Sequence, residues 1–390
     1  MVGLERSTLP LVGREDFGLS SDAAVLSFIV TFGLAKSLTN LGAGALAERV
    51  GRRRLLILGW LFALPVPLLI AIAPSWTVIV GANALLGLNQ GLTWSMTVVM
   101  KIDLVGPRQR GLALGLNEAA GYGGVALAAA ATGLLAAEFA ARDVIVVAGF
   151  LIAGLALAIS VCFVRDTARH VEVEQAAHST APELDAPHLR TAFAEATYRS
   201  PALRSCSQAG LVNNLNDALA WGLVPLFLAS HGVSVARIAI VAGIYPAVWG
   251  IGQIATGAWS DRLGRKPLIV NGMLLQAAAL GGLAASGGSF ALAAAAAVAL
   301  GIGTALVYPT LIAAISDQVA PVMRASTIGV YRFWRDMGYV IGGLVAGVAA
   351  DVASFEGAIA LVAGLTAFSG LWVWFELPLR KVEAAHTLRT

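Results

Sequence analysis

Polar and apolar positions in this chain follow neither short period of a soluble fold; they run in long apolar blocks. Residues 55–100 and 267–316 contain no Asp, Glu, Lys, Arg or His. Each block is too long for one buried helix and suits two spans of about 20 residues with a turn between them. "APSW" at 73–76 and "SGGS" at 286–289 supply those turns. Barrel strands would alternate apolar and polar over about ten residues. These blocks are apolar all round and rich in Ala, Leu and Gly, so they predict helices, which satisfy their own backbone groups in lipid.

The same pattern predicts spans at 22–47, 55–73, 77–100, 109–135 and 144–164, then a polar stretch at 165–202. Further spans follow at 203–229, 235–258, 267–286, 289–316, 324–350 and 354–376, with kinks expected at Pro246 and Pro309. Composition agrees: 58% of the 390 residues are apolar and 13% charged, against about 45–50% and about 25% in soluble domains. The chain is therefore predicted to be an all-α polytopic membrane protein. Its two cysteines, Cys162 and Cys206, make neither a disulfide framework nor a metal site. Nucleotide-binding P-loop, HExxH and GxSxG patterns are missing, so no enzyme, cofactor, metal or nucleic-acid partner is expected. The first 20 residues lack the apolar core of a signal peptide.

Charge sets the predicted orientation. Arg49, Arg52, Arg53, Arg54, Lys101, Arg108, Arg110, Arg262, Arg265, Lys266, Arg324, Arg380 and Lys381 all fall on one side of the spans; the other side holds chiefly Arg14, Arg142 and Arg237. The positive-inside rule places the arginine-rich loops, the 165–202 stretch and the C-terminus in the cytoplasm of a multi-pass inner-membrane protein.

The chain also repeats itself. Gly44, Glu48, Arg49, Gly51, Arg52 and Arg53 match Gly257, Asp261, Arg262, Gly264, Arg265 and Lys266 at a spacing of 213. Gly87, Asp103, Pro107, Arg110 and Gly115 match Gly301, Asp317, Pro321, Arg324 and Gly329 at 214. Two homologous halves are expected, with an N-terminal bundle at 1–164, a cytoplasmic linker at 165–202, a C-terminal six-helix bundle at 203–377 and a tail at 378–390. Parallel halves of this kind are a transporter architecture. The duplicated G-x-x-x-[DE]-R-x-G-R-[RK] loop resembles the signature loop of the major facilitator superfamily. That resemblance implies twelve helices in two six-helix bundles around a central cavity, working by alternating access. Pro10, Leu11 and Gly18 match Pro225, Leu226 and Gly232. On that alignment "LPL" is the outer end of a first helix, about 11 spans are present and most of helix 1 is absent, through a misassigned start or through a real loss.

By the resemblance, Glu48 and Asp261 meet a helix N-terminus in the opposite half. Arg52 and Arg265 pair with Asp103 and Asp317 as a cytoplasmic latch, Gly44 and Gly257 permit close helix approach, and Gly51 and Gly264 permit the turn. The alternative is that these arginines only fix topology.

Charges inside spans are costly and face a bundle interior or water. Lys36, Glu118, Asp217, Arg332, Arg335 and Asp336 are such charges. Arg332, Arg335, Asp336 and Tyr339 share one helix face at i, i+3, i+4 and i+7. The resemblance implies that the helices carrying Lys36 and Asp336 pack together across the halves; the two residues lie at similar depth and are expected to pair. Arg332 and Arg335 then either bind an anionic solute or join Glu118 and Asp217 in an internal ion-pair network. Asp217, Glu118 and Asp336 are candidate proton carriers, with structural hydrogen bonding as the alternative for Asp217. Asn89, Trp94, Asn213, Tyr245, Trp249 and Tyr308 complete the candidate solute site. The 187–205 stretch is read as a short amphipathic helix on the membrane surface, and the linker as a solvated connector or a regulatory site.

The expectation is a monomeric secondary transporter of a small organic solute, proton-coupled, with efflux favoured. The alternatives are an uptake permease for an organic anion and a non-transporting sensor that retains the fold.

Overall fold

The apolar blocks fold as helices throughout. The computed structural model describes the backbone of residues 1–105, 110–167, 189–319 and 321–378. The N-terminal half comprises α1 (Val2–Glu5), α2 (Leu9–Glu15), α3 (Asp22–Val50), α4 (Arg52–Ala63), α5 (Pro65–Ile72), α6 (Trp76–Val105), α7 (Arg110–Leu135) and α8 (Ala141–Cys162). The linker contributes α9 (Leu189–Ala194), followed by a π-helical turn at Glu195–Arg199. The C-terminal half holds α10 (Pro201–Ser230), α11 (Val235–Leu263), α12 (Arg265–Ala284), α13 (Phe290–Gln318), α14 (Pro321–Val352) and α15 (Phe355–Glu376).

With α4 and α5 taken as one rod, eleven long rods run through the described residues. Seven are long and apolar enough to cross a bilayer on composition alone. The other four, α6, α7, α10 and α14, carry Lys101, Glu118, Asp217, Arg332, Arg335 and Asp336.

Local chemistry sets the ends. Gly51 (φ +93°) and Gly264 (φ +89°) occupy equivalent places in the repeat and break α3 from α4 and α11 from α12, in a backbone region that favours glycine. Hydroxyls of Ser21, Ser200 and Ser354 accept from the backbone N–H groups of Ala24, Leu203 and Gly357, capping α3, α10 and α15.

Two expectations change. The span predicted at 55–73 is two helices, because Pro65 starts α5 and cannot continue the hydrogen-bond ladder of α4. The 187–205 helix ends after six residues and does not lie free on a surface. Ala192 and Ala196 pack on Val330, and Trp334 donates to the Thr197 hydroxyl at 2.9 Å. Pro246 and Pro309 both sit within helices that continue past them, as does Pro225.

The halves meet along two seams, α3 against α14 and α7 against α11. Both are lined by small residues, which let backbones approach closely where apolar burial alone drives no association. A Cβ on Gly347 would stand 2.6 Å from the Ala23 Cα, and one on Gly133 would stand 2.2 Å from the Ala239 Cβ. Gly347→Val is therefore expected to destabilise the protein by about 1–3 kcal/mol through overpacking. Thermal unfolding in detergent checks this, and an unchanged midpoint would show that the seam opens without cost.

Candidate functional site

Aromatic rings from both halves converge at the centre. Tyr122 of α7 lies 3.6 Å, centroid to centroid, from Trp249 of α11, tilted by 31°. Trp94 of α6 packs on Tyr122 at 5.2 Å, and Tyr308 of α13 on Trp249 at 5.2 Å. Tyr245 stacks on Trp249 from one turn away, at 5.8 Å. Four of the expected solute-site residues, Trp94, Tyr245, Trp249 and Tyr308, thus form one plate with Tyr122. The Tyr122, Tyr245, Trp249 and Tyr308 rings are buried against one another.

A charged cluster flanks the plate on the C-terminal side. Asp336 is fully buried and accepts from Arg335 Nε at 2.9 Å, from Asn214 at 3.2 Å and from Asn40. Lys36 Nζ lies 3.5 Å from the same carboxylate and 5.0 Å from the Tyr339 ring centroid. Arg335 also donates to the Tyr308 hydroxyl, with its guanidinium 5.2 Å from that ring's centroid. Two cations therefore share one carboxylate. Arg332, one turn away and half-buried, makes no hydrogen bond or ion pair among the described residues, and its Nε is buried without a partner.

Asp217 does not join Arg332 or Arg335. Its partner is Arg6, which the sequence reading did not single out. Arg6 sits in the break between α1 and α2, and its fork donates to both Asp217 oxygens at 2.7 and 2.8 Å. The Tyr339 hydroxyl adds a third hydrogen bond at 2.6 Å, and the guanidinium lies 5.3 Å from the Trp221 ring centroid. The expected six-charge network is thus split, because a seventh charge from the N-terminal segment takes the Asp217 carboxylate.

Glu118 is bound on one side only. Oε1 accepts from Trp94 Nε1 at 3.0 Å and from Asn117 at 3.2 Å, and Lys101 holds Asn117 from behind at 2.6 Å. Oε2 is buried and has no partner. The Oε2 atom thus keeps its acceptor sites unfilled among the described residues.

Two expected solute contacts lie elsewhere. Asn89 is fully buried and donates to the Gly59 carbonyl at 2.9 Å, which ties α6 to α4. Asn213 accepts from Gln276 at 3.0 Å, and Gln276 in turn accepts from Asn216 at 2.8 Å, a core contact within the C-terminal half. Both amides bond helices of their own half and stand outside the plate.

At the arginine-rich end, Arg52 lies 3.5 Å from Asp103 and Arg265 lies 3.1 Å from Asp317. Each of these pairs forms within one half. Arg53 closes on the end of α8, donating to the carbonyls of Val164 and Val161, while its backbone N–H reaches Asp166. Lys266 Nζ lies 5.2 Å from the Trp374 ring centroid, and Arg262 is exposed. The expected contacts of Gly44, Glu48, Arg49, Gly257 and Asp261 lie outside the described residues.

Comparison with known proteins places this geometry. The family model described as Major Facilitator Superfamily matches residues 5–204 and 206–389. The chain is 29% identical over 233 residues to the "Probable 4-methylmuconolactone transporter" of Cupriavidus pinatubonensis, which is 59% of this chain and 52% of that protein. It is 27% identical over 158 residues to the "Inner membrane transport protein YnfM" of Escherichia coli, 40% of this chain and 37% of that protein. The chain thus spans about half the length, or less, of the curated relatives it matches. Among solved structures it resembles a variant of the nucleoside transporter NupG, with a TM-score of 0.78 at 14% identity over 96% of each chain. It also resembles a D-xylose-proton symporter, with a TM-score of 0.71 at 15% identity over 97% of this chain and 95% of that one. At such identities these structures establish the fold alone. A duplicated signature loop, two helical halves around a central polar and aromatic cluster, and a family match along nearly the whole chain lead to one conclusion: this chain belongs to the Major Facilitator Superfamily and has a multi-pass, all-helical fold.

Proposed function

We propose that this transporter carries a small organic anion with a flat apolar body and couples its movement to protons, with the arginine-rich end in the cytoplasm. The surplus of positive charge beside the aromatic plate carries the reading. Lys36 and Arg335 face a single carboxylate, and Arg332 has no partner among the described residues. Guanidinium groups suit planar carboxylates and phosphates, and an anion entering the site relieves the charge imbalance. The relative described as a 4-methylmuconolactone transporter supports a compact oxygenated ring compound as the solute. The bare Oε2 of Glu118 supports that residue as the proton carrier.

Purified protein in liposomes, with an internal pH dye, tests both parts. Addition of 4-methylmuconolactone or related carboxylates is expected to move protons, and the neutral amides are not. Arg332→Ala is expected to weaken carboxylate binding about 10- to 100-fold, the worth of a charge-assisted hydrogen bond, while neutral analogues change little. Equal losses for both classes would defeat the anion reading. Solute binding without any proton or solute flux would favour a sensor.

A further inference from the structure

At the end opposite the arginine-rich loops, one carboxylate joins the two halves. Asp351, near the C-terminus of α14, accepts from the Ser21 hydroxyl at 2.6 Å, from the Ala23 backbone N–H at 3.1 Å and from the Asp22 backbone N–H. These donors are the N-terminus of α3, where the first N–H groups of a helix lack intrahelical partners and a negative charge is stabilised. Arg14 closes the same corner from the N-terminal half, reaching the Asp22 carboxylate and the carbonyls of Leu19 and Ser20. Gly347, one turn before Asp351, lets α14 lie against Ala23.

The sequence carries this arrangement twice. Ala350-Asp351-Val352-Ala353 matches Ala137-Glu138-Phe139-Ala140, and Ser21 and Ala23 match Ser234 and Ala236, all at the spacing of 213. Ser21 and Ser234 each precede a long helix at a seam between the halves. The second copy is not engaged: Glu138 is exposed, its side chain makes no hydrogen bond or ion pair among the described residues, and the Ser234 side chain does not cap its helix. One duplicated device is therefore seen once bound and once open.

We propose that Asp351 is the bolt of a gate: its carboxylate, seated on the N-terminus of α3, holds this end of the two halves shut and must withdraw before this end opens. Its purpose rests on the transport reading above, but the bolt itself can be read without any solute. Release breaks three hydrogen bonds in one motion, since all three donors sit on one helix end. Partial opening keeps none of the geometry, so the gate has two positions and not a continuum. Asp351 and α3 belong to opposite halves, so any rotation of one half about the other at this end must break the contact.

Spin labels at Ser75→Cys and Ala285→Cys, the turns between α5 and α6 and between α12 and α13, report the separation of the halves at this end. Cys162 and Cys206 are replaced by Ser, and the protein is held in nanodiscs. The parent is expected to show one short distance. Asp351→Ala is expected to shift the closed-to-open ratio at least about tenfold toward a longer distance, within the range of differential contacts that bias two-state elements. Asp351→Glu retains a carboxylate and is expected to keep the short distance, and so is Glu138→Ala. A parent-like distribution for Asp351→Ala would overturn the proposal, and so would an equal shift for Glu138→Ala. Should Asp351→Ala fail to give monodisperse protein, Asp351→Asn keeps the volume and removes the charge, and it is read in the same way. The transport reading fails separately, in the liposome assay, whatever these distances show.

Discussion

Arg6→Ala is expected to destabilise this protein by about 3–5 kcal/mol, the cost of removing one member of a buried ion pair. Asp217 is fully buried, and its two oxygens take both arms of the Arg6 fork. Without Arg6 the carboxylate keeps only the Tyr339 hydroxyl, in a region walled by Trp221 and Tyr245. The loss is not that of two hydrogen bonds; it is the cost of a buried charge whose counter-charge has gone. Removing both partners has a different outcome. An Arg6→Leu, Asp217→Leu double variant is expected to recover most of the loss, because a buried pair and an apolar replacement of similar volume come out nearly even. Thermal unfolding of the three proteins in one detergent measures both effects. A parent-like midpoint for Arg6→Ala would mean that Asp217 does not depend on this charge, and the assignment of the N-terminal segment to the centre of the fold would fail.

Glu118→Gln is expected to abolish proton-driven accumulation, to the level of empty vesicles, while leaving solute exchange down its own gradient. The glutamine keeps an acceptor for Trp94 and Asn117, the two donors that hold Oε1. It cannot take a proton where Oε2 now stands bare. Intramembrane carboxylates facing a bundle interior are the usual sites of such coupling. Asp217 is the contrasting case: three donors, two from Arg6 and one from Tyr339, already hold its carboxylate. Glu118→Gln and Asp217→Asn compared in one liposome series separate the two carriers. Surviving accumulation in Glu118→Gln, with loss in Asp217→Asn, would move the proton site to α10.

Much of this molecule is legible along the chain. Apolar blocks of membrane length, the turns at 73–76 and 286–289 and the spacing of 213 lead from residues to two helical halves, because lipid leaves a backbone few alternatives. The span predicted at 235–258 is α11, and the one at 354–376 is α15, each within a few residues at its ends. The pairing of Lys36 with Asp336 follows from their similar depth together with the family's packing of these two helices, and the two stand 3.5 Å apart.

Arg6 escapes the sequence reading although a signal exists. The alignment that sets Pro10 on Pro225 also sets Arg6 on Trp221, one turn from Asp217 and therefore at membrane depth. Taking "LPL" as a helix end stops one turn short of it. Ser21, Glu138 and Asp351 escape for a related reason. Polar residues at span ends are common, and only their repetition at 213 marks them.

The sequence by itself determined which segments are helices and that Lys36, Glu118, Asp217, Arg335 and Asp336 are buried, since both follow from the cost of polar groups in hydrocarbon. Some partners, such as Arg6 for Asp217, were decided only by the tertiary structure. Side chains far apart in sequence, such as Arg6 and Asp217 or Ser21 and Asp351, meet through the packing of helices along glycine-lined seams. A change of helix rotation by one residue, about 100°, would point the same charges at different neighbours. Depth is a property of one span and can be read along the chain, whereas facing direction is a property of pairs of spans and is settled when they pack.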